Sequence, residues 1–375
     1  MTTDFDITFD RSSLRKTLSR IKPLTTAFPM VRLTRADGPT VRVEATDAVT
    51  FVSLLGPRTY GEATMPGAAV VRATALRGIA VASRAEGAMT VRGDGTVEVR
   101  DGLSRSHDRA IQPHQYPTGP KLPSYAPTAR IGAAKLGRAI GAVQHASSTN
   151  AVQPHLHGVR LTVRDGRLEC VATDGHRMAR CRQDGAEGAS LEVTLPAALA
   201  TLVVDLCART VGQDTVTIRV SADAVEIATS DERASAWLFP CTRFYPSADV
   251  LFDTAREHRT TALLHARKLH VLLERAVTRD ARGVALSVRP DAVDVSGEAT
   301  GASGITADAE TDGPALAIGV NADYLSDALE AVDAVKTSQG ATDPRVSIRF
   351  GCELDPIVVD ASGSGYSEIV MPMRI

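Results

Sequence analysis

The chain has 375 residues, of which 43% are hydrophobic and 23% are charged, and its formal net charge is −2. This length exceeds one comfortable hydrophobic core, so we expect two or three domains. The charge balance excludes a globally basic nucleic-acid-binding protein, and any such surface must be local. The first residues lack a secretion signal, no 18-residue apolar run occurs, and the five cysteines have no Cys-x-x-Cys spacing. We therefore expect a cytoplasmic protein with reduced thiols and no membrane contact.

In chain order, the first predicted elements are a short strand and an amphipathic helix, and this pair recurs about every 120 to 130 residues. The strand-like runs cover 7–9, 129–131 and 261–264. Each is followed by apolar residues at i, i+4 and i+7, the spacing of one buried helix face. The three apolar sets are Leu14, Leu18 and Ile21; Leu136, Ile140 and Val143; and Leu269, Leu273 and Ala276.

A second helix is predicted in each copy, near 73–83, 197–207 and 324–332, among alternating runs such as 41–44, 216–220 and 346–350. Period-two alternation indicates strands with one buried face. The copies end in strands that lead to Pro117, Pro240 and Pro372, and the predicted linkers are 112–127 and 241–259. We predict an α+β fold of three similar domains, 1–124, 125–257 and 258–375, each with two helices packed on antiparallel sheet. The alternative is three unrelated domains that share a common helical stripe.

The opposite face of the first helix in each copy is basic. At about 100° per residue, positions i−1, i+2 and i+6 share the face that points away from the apolar stripe. Six of these nine positions are Lys or Arg and none is acidic: Lys16, Arg20, Lys135, Arg138, Lys268 and Arg275. A solvated helix face is the alternative, but such a face would carry both signs of charge. We predict contacts with duplex phosphates that are sequence-independent and salt-sensitive.

Two segments carry the most specific pattern: VATDGHRMA at 171–179 and MPMRI at 371–375. Together they resemble the bacterial sliding clamp, the beta subunit of DNA polymerase III. Further similar segments are NADYLSDAL at 321–329, RGV at 282–284, LHGV at 156–159 and, more loosely, DGLSR at 101–105. The resemblance covers most of the chain.

The resemblance implies a DNA-clamp fold in which two subunits join head to tail as a homodimeric ring around duplex DNA. It implies a processivity factor with no catalytic residues, no metal and no cofactor. A groove between domains two and three would bind short apolar-aromatic peptides of the DNA polymerase III catalytic subunit, the clamp loader and repair polymerases. The matching groove residues are Leu156, Thr173, Gly175, His176, Arg177, Met178, Val250, Asn321, Tyr324, Ile369, Met371, Pro372, Met373 and Arg374.

The sequence departs from the family pattern at four places. The run FYP at 244–246 stands where the family usually has Phe-Pro, and Asp249 stands at a position that is Arg in some members. Gln153 replaces a commonly basic residue, and the small run AVT at 276–278 predicts a weaker or differently packed contact between the two subunits of the ring. These differences favour, as an alternative, an accessory or inhibitor-tolerant clamp paralogue that acts as a decoy or interaction protein.

A metal-dependent hydrolase is the remote alternative. Asp174 and His176 could form an acid–base pair, and His155 and His157 could share one face of a strand as metal ligands. Ser147 and Ser148 could supply a nucleophile. No carboxylate cluster with ligand spacing accompanies these residues, and no Walker loop is present, so loading onto DNA would need an ATP-driven partner.

Overall fold

The computed structural model describes residues 5–60, 67–81, 86–92, 94–101, 104–150, 152–210, 214–238, 245–255, 258–300 and 304–374. The chain divides into two compact units. Unit 1 is Met1–Ala133 with Thr201–Pro240, and unit 2 is Ala134–Ala200 with Cys241–Ile375. No helix in the described ranges is long and apolar enough to cross a membrane.

In its described residues, the first stretch of the chain contains two helices and nine strands. They are β1 (Phe5–Asp10), α1 (Arg11–Ala27), β2 (Met30–Arg35), β3 (Thr40–Thr46), β4 (Thr50–Arg58), β5 (Ala68–Arg72), α2 (Ala73–Val81), β6 (Glu86–Val91), β7 (Thr96–Asp101), β8 (Ser104–Arg109) and β9 (Thr128–Gly132). Between the last two strands lies only a 3-10 turn at Pro113–Gln115, as expected for the first predicted linker.

Three helices and eight strands lie in the described part of the middle stretch. They are α3 (Ala133–Val143), β10 (Gly158–Arg164), β11 (Arg167–Thr173), β12 (Arg177–Asp184), β13 (Glu187–Gly188), β14 (Leu191–Pro196), α4 (Ala197–Arg209), β15 (Thr215–Val220), β16 (Ala224–Ala228), β17 (Arg233–Trp237) and α5 (Ala248–Thr254). Helix α5 lies inside the second predicted linker, 241–259.

Among the residues that the structure describes, the last stretch contains two helices and nine strands. They are β18 (Thr260–His265), α6 (Ala266–Ala276), β19 (Gly283–Arg289), β20 (Ala292–Gly297), β21 (Ile305–Asp308), β22 (Glu310–Asp312), β23 (Leu316–Asn321), α7 (Ala322–Ser338), β24 (Arg345–Phe350), β25 (Ile357–Ala361) and β26 (Tyr366–Val370). A strand that runs directly into a helix occurs six times in the described residues, as the predicted repeat requires.

Each unit contains antiparallel sheets. In unit 1 the strand orders are β1-β6-β7-β8 and β9-β15-β16-β17-β4-β3-β2-β5. In unit 2 they are β14-β10-β11-β12-β26-β25-β24-β18-β22 and β21-β20-β19-β23. The pairing of β12 with β26 matters most for function, because it places Met178 directly opposite Ile369. Two segments that are far apart in the sequence thereby meet in one sheet.

The predicted apolar stripes form the core beneath the helices. Leu14, Leu136 and Leu269 are each at most 1% exposed, and the other six stripe residues are also buried. Helix α1 begins where a local side chain caps it: the carboxylate of Asp10 accepts from the amide of Ser13 at 2.7 Å. The α+β class with helices packed on antiparallel sheets is confirmed, whereas the three predicted domain boundaries remain a prediction.

Some features predicted from the sequence differ in the structure or fall outside the residues that it describes. Ala142, placed on the outer face of α3 by its spacing, is 5% exposed and therefore belongs to the core. The second helix predicted at 73–83 is described as α2 up to Val81. Positions 82–83, 102–103, 239–240, 244 and 375, which the sequence motifs include, lie outside the described residues.

Candidate functional site

The segment 173–177 forms a tight turn between β11 and β12. The Thr173 hydroxyl donates to the carbonyl of Arg177 at 2.6 Å. The Asp174 carboxylate accepts from the amides of His176 and Arg177 at 2.9 and 3.1 Å. Gly175 has a φ of +91°, which favours a residue without Cβ. The turn exposes His176 and directs Arg177 inward.

Arg177 connects this turn to helix α7. Its Nη1 donates to Asp327 at 2.5 Å, and its Nε donates to Asp174 at 3.2 Å. Its Nη2 donates to the carbonyl of His145 at 2.8 Å. The guanidinium carbon lies 4.6 Å from the centre of the Tyr324 ring. Because Arg177 is only 9% exposed, it acts as a fixed positioning residue rather than as a free surface charge.

The exposed His176 and the half-buried Tyr324 form the polar wall of the site. Their rings stack with centroids 6.3 Å apart at an interplanar angle of 18°. Asn321 caps α7, because its side chain accepts from the amides of Asp323 and Tyr324 at 2.8 and 3.4 Å. This cap fixes the first turn of the helix and hence the backbone position of Tyr324.

The C-terminal segment lies along the same turn. The amide of Met371 donates to the carbonyl of His176 at 2.9 Å, and the amide of Met373 donates to a carbonyl of β23 at 2.8 Å. Pro372 forms an isolated bridge to that strand. Met371 and Met373 are 43% and 41% exposed, and Arg374 is also exposed. The two motifs singled out from the sequence therefore meet in space.

The apolar part of the predicted groove is packed rather than open. Met178 and Ile369 are each 2% exposed. They belong to one buried cluster, which we call the α5 cluster, with Val171, Ala248, Phe252, Ala255 and Val358. Leu156, in a 3-10 turn, is 4% exposed. Met178 and Ile369 are therefore core residues here, and α5 packs in the same cluster through Ala248 and Phe252.

Charged side chains hold α5 on the sheet. Asp249 accepts from Arg182 Nη2 at 2.7 Å and from Arg180 Nη1 at 3.2 Å. The guanidinium carbon of Arg180 lies 3.8 Å from the centre of the Phe252 ring. Val250, on the same helix, is 62% exposed. Asp249, which stands where some members of the family have Arg, thus forms ion pairs within unit 2.

The altered run at 244–246 places a tyrosine against the α5 cluster. Tyr245 packs on this cluster, and its hydroxyl donates to the carbonyl of Val171 at 3.1 Å. The guanidinium carbon of Arg160 lies 5.5 Å from the centre of its ring. Burial raises the pKa of Tyr245, so its hydroxyl stays a proton donor at neutral pH. This tyrosine closes the cluster from the side.

A polar cleft of about 480 Å³ lies beside the turn, lined by 147–150, Gln153, His145, Tyr324 and residues 174–177. Beneath it, the fully buried carboxylate of Glu368 contacts His145 Nε2 at 2.9 Å and the hydroxyl of Tyr366 at 2.5 Å. Burial raises the pKa of Tyr366 well above its usual value. Tyr366 therefore stays protonated and donates a hydrogen bond to the carboxylate of Glu368.

The sequence did not point to Asp327 as a partner of Arg177 or to Phe252 as a cover over the cluster. Asp327 stood within the NADYLSDAL motif, so its position was visible although its role was not. Nothing in the local pattern distinguished Phe252 from any other apolar residue of a linker. Glu368 likewise acquires its role only through contacts with distant residues.

Unit 1 contains two of the predicted DNA-facing residues, Lys16 and Arg20. Lys16 is available to bind a ligand, whereas the charge of Arg20 is neutralised. Lys16 is exposed and has no ion pair with any described residue. The Arg20 side chain is only 7% exposed and contacts Asp205 at 2.5 Å and Glu232 at 2.6 Å. Two carboxylates therefore hold Arg20 within unit 1. Contrary to the sequence-based expectation, this arginine does not present its charge to solvent.

The four predicted DNA-facing residues of unit 2 differ in how many contacts their charged groups make with neighbouring residues. The Lys135 ammonium donates to the carbonyl of Asp184 at 2.8 Å. Arg138 is half-buried and makes only long contacts, at 3.4 Å, with Gln183 and Ser338. Lys268 forms an exposed ion pair at 2.7 Å with Asp308. Arg275 is exposed, and no ion pair joins it to a residue in the described ranges.

The features that suggested an enzyme have structural roles here. The Asp174 carboxylate accepts from backbone amides, including that of His176, rather than pairing with the imidazole. His155 lies in the 3-10 turn Pro154–Leu156 and not on a strand, so the expected shared strand face does not exist. The Nε2 of His157 contacts the carbonyl of Asn150 at 2.6 Å. Within the described ranges, no group of three metal-ligating side chains could hold a metal ion.

Comparison with known proteins identifies the fold. Residues 130–240 match the family model of the DNA polymerase III beta subunit, central domain. No curated protein matches the sequence significantly. The resemblance to the bacterial DNA polymerase III beta subunits that the sequence indicated is confirmed.

Solved structures match over essentially the whole chain. A Pseudomonas aeruginosa sliding clamp bound to griselimycin has a TM-score of 0.83 at 20% identity and covers 100% of both chains. The Bacillus subtilis sliding clamp gives 0.81 at 18% identity, again with 100% of both chains covered. The Thermotoga maritima beta subunit gives 0.80 at 17% identity, covering 99% of this chain and 100% of that one. The chain therefore has the sliding-clamp fold, at low sequence identity.

Proposed function

We propose that the chain is a DNA polymerase processivity factor, a cytoplasmic ring-shaped clamp that encircles duplex DNA without catalysing a reaction. One observation carries the proposal: a clamp fold that matches over the whole given chain, in which the 173–177 turn accepts a hydrogen bond from the amide of Met371. Head-to-tail dimerisation would pair edge strands of two copies and so cover them. An ATP-driven loader would open the ring, because the sequence contains no nucleotide-binding motif.

The mechanism that we propose is topological. A closed ring needs only weak contacts with phosphates, because dissociation requires opening of the ring rather than release of each contact. Lys16 and Arg275 are the strongest candidates for such contacts, since both are exposed without an ion pair to a described residue. Lys135, Arg138 and Lys268 are retained as further candidates, and Arg20 is not. Phosphate contacts from these side chains would be independent of base sequence and sensitive to salt.

The proposed partner site is the groove of unit 2. Met371 and Met373 offer exposed, adaptable apolar side chains, while His176 and Tyr324 offer polar edges for a peptide backbone. Short apolar-aromatic peptides of the polymerase catalytic subunit, the loader and repair polymerases are the proposed ligands. Deeper insertion of such a peptide would displace Phe252 from the α5 cluster.

A second candidate function is an accessory or inhibitor-tolerant paralogue that keeps the fold but binds groove ligands weakly. The observation in its favour is the closed α5 cluster, held by the ion pairs of Asp249 with Arg180 and Arg182. Both candidates share the clamp fold. They differ in whether the groove binds a polymerase peptide and whether the ring is loaded.

The test is retention on circular DNA. The full chain is incubated with a bacterial clamp loader, ATP and nicked circular duplex, and bound protein is separated by gel filtration. We expect retention on the circle and release after a restriction enzyme makes it linear. A Lys16→Glu, Arg275→Glu double variant should be retained less, whereas Arg164→Glu, which reverses one exposed charge on the inner strand β10, should be retained like the wild type. No retention of the wild type, or equal retention on linear DNA, would exclude the clamp function.

A further inference from the structure

Unit 1 contains a cleft of about 240 Å³ that the proposed clamp function does not use. It lies where β4 pairs with β17, and we call it the β4–β17 cleft. One wall is the row of directly opposed residues Arg233, Ser53, Glu44 and Arg32 across β17, β4, β3 and β2. Directly opposed residues share one face of an antiparallel sheet, so these four side chains project to the same side.

The opposite wall is the segment 116–121, and it is firmly packed. Tyr116 is 5% exposed, and its hydroxyl donates to the carbonyl of Glu44 at 3.0 Å. A Cβ at Gly119 would lie only 3.1 Å from Cγ of Phe51. The segment therefore rests directly on the Phe51 ring, and it leaves Lys121 exposed at the edge of the cleft.

The charge of the cleft is unbalanced. Arg32, Lys121 and Arg233 line it, against the single carboxylate of Glu44. The Arg32–Glu44 contact is long, at 3.3 Å, and Arg32 Nε is buried without a hydrogen-bond partner in the described structure. Lys121 has no ion pair to a described residue. The lining is therefore short of negative charge.

Arg233, the third basic residue that lines the cleft, shares its carboxylate partner with a second arginine. Arg233 is 57% exposed and contacts Glu226 at 3.2 Å, and the same carboxylate also contacts Arg219 at 3.1 Å. One carboxylate cannot neutralise two guanidinium groups, so Arg233 retains positive potential toward the cleft. Exposed pairs of this kind contribute little stability and exchange partners easily.

We propose that the β4–β17 cleft binds an acidic peptide segment of a partner protein. Guanidinium groups suit carboxylates, because they form two parallel hydrogen bonds to them. Arg233 and Arg32 are separated by three strand spacings, about 14 Å. An extended peptide covers that distance in roughly four residues, so the ligand carries two acidic side chains four positions apart. An apolar side chain between them would pack on Phe51.

The test uses the full chain and a fluorescein-labelled peptide, Gly-Glu-Ser-Leu-Ser-Glu-Gly, followed by fluorescence anisotropy. We expect binding that weakens as salt rises, and about tenfold weaker binding when both glutamates are replaced by glutamine. The Arg32→Gln, Arg233→Gln double variant should bind about tenfold more weakly. Lys121→Gln, which removes an exposed side chain without an ion pair to a described residue, should weaken binding without affecting folding.

The controls decide between ligand classes. Arg109→Gln, on β8, should leave the affinity unchanged. Equal binding of the glutamine peptide, or of the double variant, would overturn the proposal. Stronger competition by tripolyphosphate than by unlabelled acidic peptide would make the cleft a phosphate site, and stronger competition by duplex DNA would make it a nucleic-acid surface. Either result would also overturn the proposal, whereas neither would bear on the clamp function.

Discussion

Replacing Phe252 with alanine separates the structural role of α5 from its effect on the groove. Phe252 is 4% exposed and packs with Met178 and Ile369 in the α5 cluster. Truncation of a buried phenylalanine costs about 3–5 kcal/mol. The helix that carries it has only seven residues and can settle into the space, so we expect the lower end, about 3 kcal/mol.

Two measurements follow from that value. Unit 2 has about 200 residues, for which about 3 kcal/mol lowers the Tm by roughly 6–12 °C, measurable by calorimetry. If a peptide must displace Phe252 to reach Met178 and Ile369, the same cost opposes its binding in the wild type. Removing the Phe252 side chain should therefore tighten the binding of a labelled peptide with leucine and phenylalanine by about 100-fold.

The matched control is Phe350→Ala. Phe350 is also fully buried in unit 2 but lies outside the α5 cluster. It should lose comparable stability and leave peptide affinity unchanged. The reasoning fails if Phe252→Ala binds the peptide no more tightly than the wild type does. It fails equally if both variants gain affinity, because general loosening of unit 2 would then explain the gain.

Three further predictions concern other parts of the chain. Met373→Ala removes an exposed groove side chain and should weaken peptide binding in anisotropy without changing the sedimentation coefficient; unaltered affinity would contradict the groove assignment. Arg100 is the main cause that holds the pKa of Glu98 at about 2, below its ordinary 4.5, so Glu98 stabilises the fold fully above pH 4.5. That stabilisation is lost as pH falls from 4.5 toward 2, so Glu98→Gln should make the Tm depend less on pH in this range. If the plots of Tm against pH for the wild type and the variant superimpose, the coupling is refuted. Arg20→Ala should cost about 2 kcal/mol in urea unfolding and leave retention on circular DNA unchanged, whereas reduced retention at wild-type stability would return Arg20 to the DNA-contacting set.

Local periodicity made the helices predictable. The stripes that begin at Leu14, Leu136 and Leu269 are buried as expected, because one turn of helix brings residues three and four apart onto the same face. The Asp174-Gly175 turn was equally visible, since its hydrogen bonds join neighbours in the sequence. The meeting of this turn with Met371 followed from the family resemblance rather than from any local rule.

Short-range chemistry was thus set by the order of the amino acids alone: which faces are apolar, where the chain turns, and where basic residues accumulate. Only the tertiary structure decided which of those groups remain accessible. Arg20 is neutralised by Asp205 and Glu232, which lie about 200 positions along the chain, and Phe252 covers Met178 and Ile369 from another segment. Burial and charge pairing depend on distances between remote residues, and periodicity along a sequence contains no information about those distances.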